Sequence, residues 1–334
     1  MERRRLGDTD IELTVIGLGT WQWGGRWGGA DDADSLAAAH AAVDAGMNWI
    51  DTADIYGQGR AEEVLAPFLR ERGDEVVLST KGGVAWSYEP QFRIWRAADG
   101  AYLRGALEAS LGRLGVEAVD IYHVHWPIAA GDPADTIGTL LDLKREGKIR
   151  AVAVSNYSTA DLEATEGAGS IDAYQAGYHF MRREIEGGQL DWCGRNGVGV
   201  LAYGPLAHGL LTGSMGPETT FRDDDWRATS ELFTDDAFAD RLTVVDELGE
   251  IARQSGRAGG VAELAVAWVL RRPEVTSAII GGRNAQQARG AAAYGARPLA
   301  RDEEEAMEAV LARHPGADRH YSHGEPPDPT AEAA

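Results

Sequence analysis

Cysteines, long apolar runs and basic residues are all scarce in this chain of 334 residues. The single cysteine, Cys193, excludes an internal disulfide and any metal site built from several thiolates. Charged residues interrupt every apolar run before it reaches the roughly 18 residues of a membrane-spanning helix. The first residues, MERRRLGDTD, lack the apolar segment of a secretory signal. We therefore expect a cytoplasmic protein that has no membrane partner.

Acidic residues outnumber basic ones, because 53 Asp and Glu stand against 32 Lys and Arg, for a net charge of -21 at pH 7. A field of this sign repels phosphate backbones, so we expect no nucleic acid partner. An anionic cofactor would have to be held by a local cluster of hydrogen-bond donors. The sequence leaves the formation of a homo-oligomer open.

Short β-rich runs alternate with segments that have apolar residues at helical spacing, for example Leu103, Leu107, Leu111 and Leu114. Parallel strands need such crossovers, and eight of them close a barrel with a filled interior. We predict an α/β fold, a (β/α)8 TIM barrel preceded by a short N-terminal β-hairpin. An open doubly wound sheet would need a glycine fingerprint, which Gln22 interrupts. The eight predicted strands are 15–20, 48–52, 76–80, 119–125, 151–155, 172–177, 198–203 and 275–280.

Three connections after strands are long, at 21–32, 82–99 and 204–240, and loops after strands form the catalytic face of such a barrel. They are rich in aromatic residues, which either contact substrate or only pack the loops down. We predict one domain over 1–314, and a mobile tail over 315–334, where periodicity is lost. The predicted substrate contacts are Trp21, Trp23, Trp86, Tyr88 and Trp126, and further aromatic residues in these loops are Trp27, Phe92, Trp95 and Trp226.

Four ionisable residues lie at or just beyond the ends of predicted strands: Asp51, Tyr56, Lys81 and His125. Reduction of a carbonyl needs a proton donor for the developing alkoxide. We expect the ammonium of Lys81 to lower the pKa of Tyr56, with Asp51 as its counter-charge. His125 would orient the carbonyl oxygen. His123 lies on the same face of its strand, one layer deeper, and we assign it to the core.

Several segments together resemble the signatures of one known family. DTADIYG, STKGG, IYHVHWP, VAVSNYS, LAYGPLAHGLLTG and IIGGRN follow in the order and spacing of the aldo-keto reductase superfamily, and the resemblance reaches to about residue 297. It implies a bacterial, NADP-dependent reductase without a metal. The catalytic tetrad of that superfamily falls on the same four residues, Asp51, Tyr56, Lys81 and His125.

The resemblance also implies a cofactor site. Ser155, Asn156 and Gln175 would hold the nicotinamide carboxamide, and Tyr203 would stack on its ring. Arg283, next to Asn284 at a helix N-terminus, would favour a 2′-phosphate and hence NADPH. The Glu-Asn pair that contacts adenine in many relatives is absent after Gln287, which weakens the adenine contacts. The full implied cofactor set is Gly19, Thr20, Trp21, Asp51, Ser155, Asn156, Gln175, Tyr203, Gly204, Pro205, Leu206, Gly209, Leu211, Gly281, Arg283 and Gln287.

These observations predict an NADPH-dependent oxidoreductase that reduces an aldehyde or ketone, with Tyr56 as the general acid. A sugar or another polyhydroxylated carbonyl compound is the candidate substrate, since sugars stack on indole faces. One alternative is a catalytically weak NADP(H)-binding regulatory subunit with the same fold. Another is a barrel enzyme that forms a Schiff base on Lys81, although the SNYS and IIGGRN segments have no role in that chemistry.

Overall fold

A computed structural model describes residues 1–25, 27, 31–89, 91–128, 133–319 and 326. Eight parallel strands close into a barrel, which confirms the predicted fold, and each predicted strand is present within a few residues of its expected bounds. Two antiparallel pairs, β1 with β2 and β6 with β7, lie outside the barrel. The strands are β1 (Arg3–Arg5), β2 (Glu12–Thr14), β3 (Ile16–Gly19), β4 (Trp49–Asp51), β5 (Val77–Gly82), β6 (Val84–Ser87), β7 (Arg93–Arg96), β8 (Val119–Val124), β9 (Ile149–Ser155), β10 (Ala173–Gly177), β11 (Gly199–Tyr203) and β12 (Val275–Gly281).

Helices connect the strands and cover the barrel, with local caps that follow from the sequence. Asp99 accepts a hydrogen bond from the Tyr102 amide at the start of α3, and Gly115 ends that helix in the left-handed conformation. The helices are α1 (Asp32–Asp44), α2 (Arg60–Arg72), α3 (Gly100–Leu114), α4 (Pro133–Arg145), α5 (Thr159–Thr165), α6 (Gln189–Arg195), α7 (Glu231–Thr234), α8 (Phe238–Gln254), α9 (Gly260–Leu270), α10 (Ala285–Ala293) and α11 (Arg301–Arg313). None of the described helices is long and apolar enough to cross a membrane.

The barrel interior is packed rather than open. Trp49 is fully buried there, and its indole donates hydrogen bonds to Ser277 Oγ at 3.0 Å and to the Thr14 carbonyl at 3.2 Å. A Cβ at Gly17 would lie 2.0 Å from the Trp49 ring, so this position of β3 has room only for glycine. Leu13 of the N-terminal hairpin joins the same buried cluster. One end of the barrel is thereby filled, and the functional groups gather at the other end.

Two regions differ from what the sequence predicts. The long connection 82–99 contains the antiparallel pair β6 and β7, where we expected a loop. Of the predicted mobile tail 315–334, residues 320–325 and 327–334 lie outside the described residues. Pro326 is buried, and its carbonyl accepts a hydrogen bond from Arg96 Nε at 3.0 Å.

Candidate active site

Three of the four predicted catalytic side chains meet at the C-terminal ends of β4 and β5. Lys81 Nζ lies 2.5 Å from Asp51 Oδ2 and 3.2 Å from Tyr56 Oη, and it also donates to the Thr52 carbonyl at 2.8 Å. The His125 ring, directly after β8, lies 5.8 Å from the Tyr56 ring. The structure therefore brings all four residues together although they are up to 74 positions apart in the sequence, from Asp51 to His125.

The carboxylate of Asp51 is fully engaged. Besides Lys81 it accepts hydrogen bonds from Ser79 Oγ at 3.0 Å and from Gln175 Nε2 at 3.0 Å, and its residue is only 2% exposed. An ion pair that is cut off from water needs such additional donors to offset its desolvation. Lys81 is fully buried and does not line the cavity, whereas Tyr56 and Asp51 do. Lys81 can therefore influence a ligand in the cavity only through these two residues.

Asp51, Tyr56, Lys81 and His125 form what we call the corner, where burial shifts the pKa values of Tyr56, Lys81 and His125. It raises the pKa of Tyr56 well above the ordinary value of about 10, and the nearby Asp51 carboxylate raises it further. Burial lowers the pKa of Lys81. The net shift of the Tyr56 pKa is therefore upward, opposite to the lowering that the sequence led us to expect, because desolvation outweighs the ammonium of Lys81 at 3.2 Å. Tyr56 is protonated at neutral pH, as a proton donor must be.

Burial also keeps both histidines neutral. It lowers the pKa of His125 well below its ordinary value, and it lowers the pKa of His123 to about 3, with Lys81 adding to both effects. His123 lies deeper in the barrel, where its Nδ1 is 3.4 Å from both Ser79 Oγ and the Thr80 carbonyl. His125 Nδ1 is buried without a hydrogen-bond partner among the described residues. The neutral imidazole of His125 lines the cavity, where a ligand can contact it.

A cavity of about 900 Å³ opens over these groups, a size typical of sites for large organic ligands. Of the predicted cofactor residues, all but Leu211 line it; Leu211 is fully buried beneath its loop. Of the predicted substrate residues, Trp21 and Trp126 line it. Trp23 does not, because it is 1% exposed and its indole donates to the Gly282 carbonyl at 2.8 Å. Trp86 and Tyr88 lie on the hairpin of β6 and β7, outside the cavity wall.

The residues expected to hold a nicotinamide carboxamide lie close together, and some of their polar groups already form hydrogen bonds with one another. Tyr203 Oη donates to Asn156 Oδ1 at 2.8 Å, and Asn156 Nδ2 donates to the His125 carbonyl at 3.0 Å and to Ser155 Oγ at 3.1 Å. Asn156 adopts a left-handed conformation with φ of 62°, which is uncommon outside glycine. Gln175 Oε1 and the Ser155 hydroxyl are the groups that remain to meet an amide.

The loop after β11 passes along the same cavity in an unusual backbone conformation. Gly204 and Gly209 have φ of 65° and 104°, and Ala207 and His208 have φ of 46° and 55°. The left-handed conformation is energetically costly for residues other than glycine, and such residues tend to occur in functional loops. This loop and the residues expected to bind the carboxamide fit an elongated dinucleotide that lies along the cavity.

The far side of the cavity is bounded by the segment after β12. Asn284 caps α10 by accepting a hydrogen bond from the Gln287 amide at 3.0 Å, and Gln287 Oε1 accepts from the Arg283 amide at 2.9 Å. Arg283 Nη1 donates to the Trp27 carbonyl at 3.2 Å. The guanidinium thus bridges the loops after β3 and β12 at the edge of the cavity.

Sequence reasoning missed the assembly of four rings that we call the aromatic roof: Trp21, Trp27, His208 and Trp226. Trp21 stacks on Trp226 with ring centroids 5.3 Å apart, and His208 meets Trp226 edge-on at 4.9 Å. All four rings line the cavity. The only sequence signal was the abundance of aromatic residues in two long loops, which does not indicate that the loops meet.

Gln22 also lines the cavity, although the sequence did not single it out as a functional residue. Its side chain lies against Gly281, where a Cβ would come within 2.0 Å of it, and its Oε1 is buried without a partner among the described residues. It lines the cavity between the ends of β3 and β12. Within the described part of the chain, no group of three or more His, Cys, Asp or Glu residues could hold a metal ion.

This arrangement can be compared with known proteins. Residues 15–312 match the Aldo/keto reductase family. The chain belongs to that family. It is 36% identical over 291 residues to aldo-keto reductase YhdN of Bacillus subtilis strain 168, covering 86% of each chain. It is 32% identical over 307 residues to the NADH-specific methylglyoxal reductase of Escherichia coli K12, covering 86% of this chain and 92% of that protein.

Further aldo/keto reductase relatives act on polyols or sugars by name. The chain is 33% identical over 310 residues to the 6-dehydroglucose reductase of Novosphingobium aromaticivorans, covering 88% and 90% of the two proteins. The solved glycerol dehydrogenase AKR11B4 from Gluconobacter oxydans superposes with a TM-score of 0.86 at 35% identity, covering 93% and 95% of the two chains. Aldo/keto reductases use a nicotinamide cofactor and act on small carbonyl substrates, so this chain is an oxidoreductase of that kind.

Proposed function

We propose that this aldo/keto reductase reduces an aldehyde or ketone to the alcohol with NADPH, and that Tyr56 is the general acid. The observation that carries the proposal is the Tyr56 hydroxyl, which faces the cavity 3.2 Å from the Lys81 ammonium and whose pKa is raised by burial. Ser155, Asn156 and Gln175 would hold a reduced nicotinamide, which would supply the hydride for the carbonyl carbon. Tyr56 Oη gives its proton to the carbonyl oxygen, and the resulting phenolate is stabilised by Lys81.

The other residues of the corner position these two groups. Asp51 keeps Lys81 in place and charged, since the ion pair offsets part of the cost of burying the ammonium. Neutral His125 faces the Tyr56 ring and can donate a hydrogen bond to the same carbonyl oxygen. Two donors on one oxygen fix its place and favour the alkoxide that develops there.

The preference for NADPH rests on Arg283, whose guanidinium lies at the edge of the cavity and can pair with a 2′-phosphate. One relative is NADH-specific by name, so both cofactors have to be compared. A polyhydroxylated carbonyl substrate is favoured by the indole faces of Trp21 and Trp126 and by the relatives named for glycerol and 6-dehydroglucose.

The test is steady-state oxidation of NADPH and of NADH with methylglyoxal, glyceraldehyde, simple ketones and oxidised sugars. We expect turnover with NADPH at lower KM than with NADH. In Arg283→Gln, the KM for NADPH should rise about tenfold while that for NADH changes little, since one charge-assisted contact is lost. Absence of turnover on every carbonyl would contradict the proposal, and equal changes for both cofactors would contradict the role of Arg283.

A further inference from the structure

The hairpin of β6 and β7 turns one face toward the cavity. Trp86 is paired with Ile94 across the two strands, and residues two apart along a strand share a face. Val84, Trp86 and Tyr88 on one side and Phe92 and Ile94 on the other therefore form a continuous apolar stripe. We call these five residues the hairpin face. Its inner members Val84 and Ile94, and also Phe92, line the cavity.

The outer end of the hairpin face lies in water. Tyr88 is 63% exposed and Phe92 is 48% exposed, and among the described residues Met1 alone is another exposed large apolar side chain. The two rings contact each other, with centroids 5.5 Å apart. Adjacent aromatic rings left in water beside a cavity are typical of a surface that binds a ligand.

The hairpin face continues inward to the catalytic tyrosine. Tyr88 Oη lies 3.5 Å from Gln58 Oε1, and Gln58 lines the cavity two residues after Tyr56. Val84 and Ile94 line the same cavity as Tyr56 and Gln58. A substrate with its carbonyl at Tyr56 would therefore extend along these residues and bring its distal part onto Phe92 and Tyr88.

We propose that the hairpin face is an outer subsite for a sugar ring, so that the preferred substrates are glycosylated aldehydes or ketones. Tyr88 and Phe92 are more than one third exposed, so a ring that stacks on them keeps its other face in water. The C–H face of a pyranose can stack on Phe92 and Tyr88 while its hydroxyls stay hydrated, whereas an aryl ring would leave an apolar face exposed. The Gln58 amide offers a hydrogen bond at the inner edge. The proposal rests on the proposed function for the presence of a reducible carbonyl.

A matched set of substrates tests the subsite: glycolaldehyde, glucosyloxyacetaldehyde and phenoxyacetaldehyde. In the double variant Tyr88→Ala/Phe92→Ala, the KM of the glucosyl aldehyde relative to that of glycolaldehyde should rise about tenfold, for two lost ring contacts. Trp95→Ala is the matched control, because Trp95 pairs with Ala85 on the opposite face of the hairpin. An unchanged ratio, an equal rise in the control, or a rise for phenoxyacetaldehyde alone would overturn the proposal.

A binding measurement separates the subsite from the reaction. Saturation-transfer NMR with hydroxyethyl glucoside, the corresponding alcohol, should show saturated ring protons with the wild type and Trp95→Ala but not with the double variant. If that pattern appears without any turnover of glycolaldehyde, the proposed reduction fails and the subsite stands. If turnover occurs without ring saturation, the subsite fails. Loss of a dimer in the double variant, seen by sedimentation, would instead make the face a contact between copies and overturn the proposal.

Discussion

Two regions border the same cavity and are held together by different contacts. In the corner, Asp51 and Lys81 are buried at the ends of β4 and β5, and Tyr56 faces the cavity five residues after β4. Lys81 connects the three through charged hydrogen bonds of 2.5 to 3.2 Å. The aromatic roof and the hairpin face stand on the long connections between barrel strands, and ring contacts at 4.9 to 5.5 Å dominate them. The proposed chemistry thus depends on side chains held at the ends of barrel strands, and the proposed ligand contacts depend on connections that can vary.

The largest expected effect comes from removing the proposed proton donor of the corner, Tyr56. Tyr56→Phe keeps the ring and its contact with His125 but removes the hydroxyl that lies beside Lys81. General acid catalysis contributes about 10²- to 10⁴-fold, so kcat should fall by that factor. The measurement is single-turnover reduction beside a fluorescence titration with NADPH. Unchanged kcat with unchanged cofactor affinity would place the proton donor elsewhere.

Breaking the ion pair of the corner should cost stability as well as rate. Lys81→Met leaves the Asp51 carboxylate buried with only Ser79 and Gln175 as donors. Removing one partner of a buried pair costs about 3–5 kcal/mol, and we expect the lower end because two hydrogen bonds remain. Denaturant unfolding of the single variant and of Lys81→Met/Asp51→Asn measures it. The double variant should recover stability but not turnover, and equal destabilisation in both would show that the charge of Asp51 is not the cause.

The sequence predicted the corner far better than the loops, for a physical reason. Parallel strands end at the same edge of a barrel, so Asp51, Lys81 and His125 could be placed together once the alternation of strands and helices was recognised. The roof requires two loops without periodicity to meet, and nothing local to Trp27 or Trp226 encodes that contact. The hairpin was missed because its strands are four residues each and are paired only with one another. The pKa of Tyr56 was misjudged because the sequence shows which charges are near but not how deeply they are buried.

A smaller effect should arise where corner and loop meet, at Tyr203. Its hydroxyl holds Asn156, which in turn holds the His125 carbonyl. Tyr203→Phe keeps a ring for stacking but frees Asn156 Oδ1, at a cost of about 1 kcal/mol for one hydrogen bond. The KM for NADPH should therefore rise roughly fivefold, by steady-state kinetics, with kcat less affected. Asn156→Ala, which removes the partner of the Tyr203 hydroxyl, is the variant for comparison. If Tyr203→Phe lowers kcat with no change in KM, the hydroxyl serves the reaction itself rather than the positioning of Asn156.

The smallest expected effect is no change at all, in the pH range where an ordinary histidine titrates. Burial lowers the pKa of His125 well below 6.5 and raises that of Tyr56 well above 10, so both groups stay neutral from about pH 6 to pH 8. The kcat/KM for reduction should be flat across that interval. An inflection near pH 6.5 that disappears in His125→Asn would show that water enters the corner when ligands bind. The corner would then be as hydrated as the loops around the cavity, and burial would no longer distinguish the two regions.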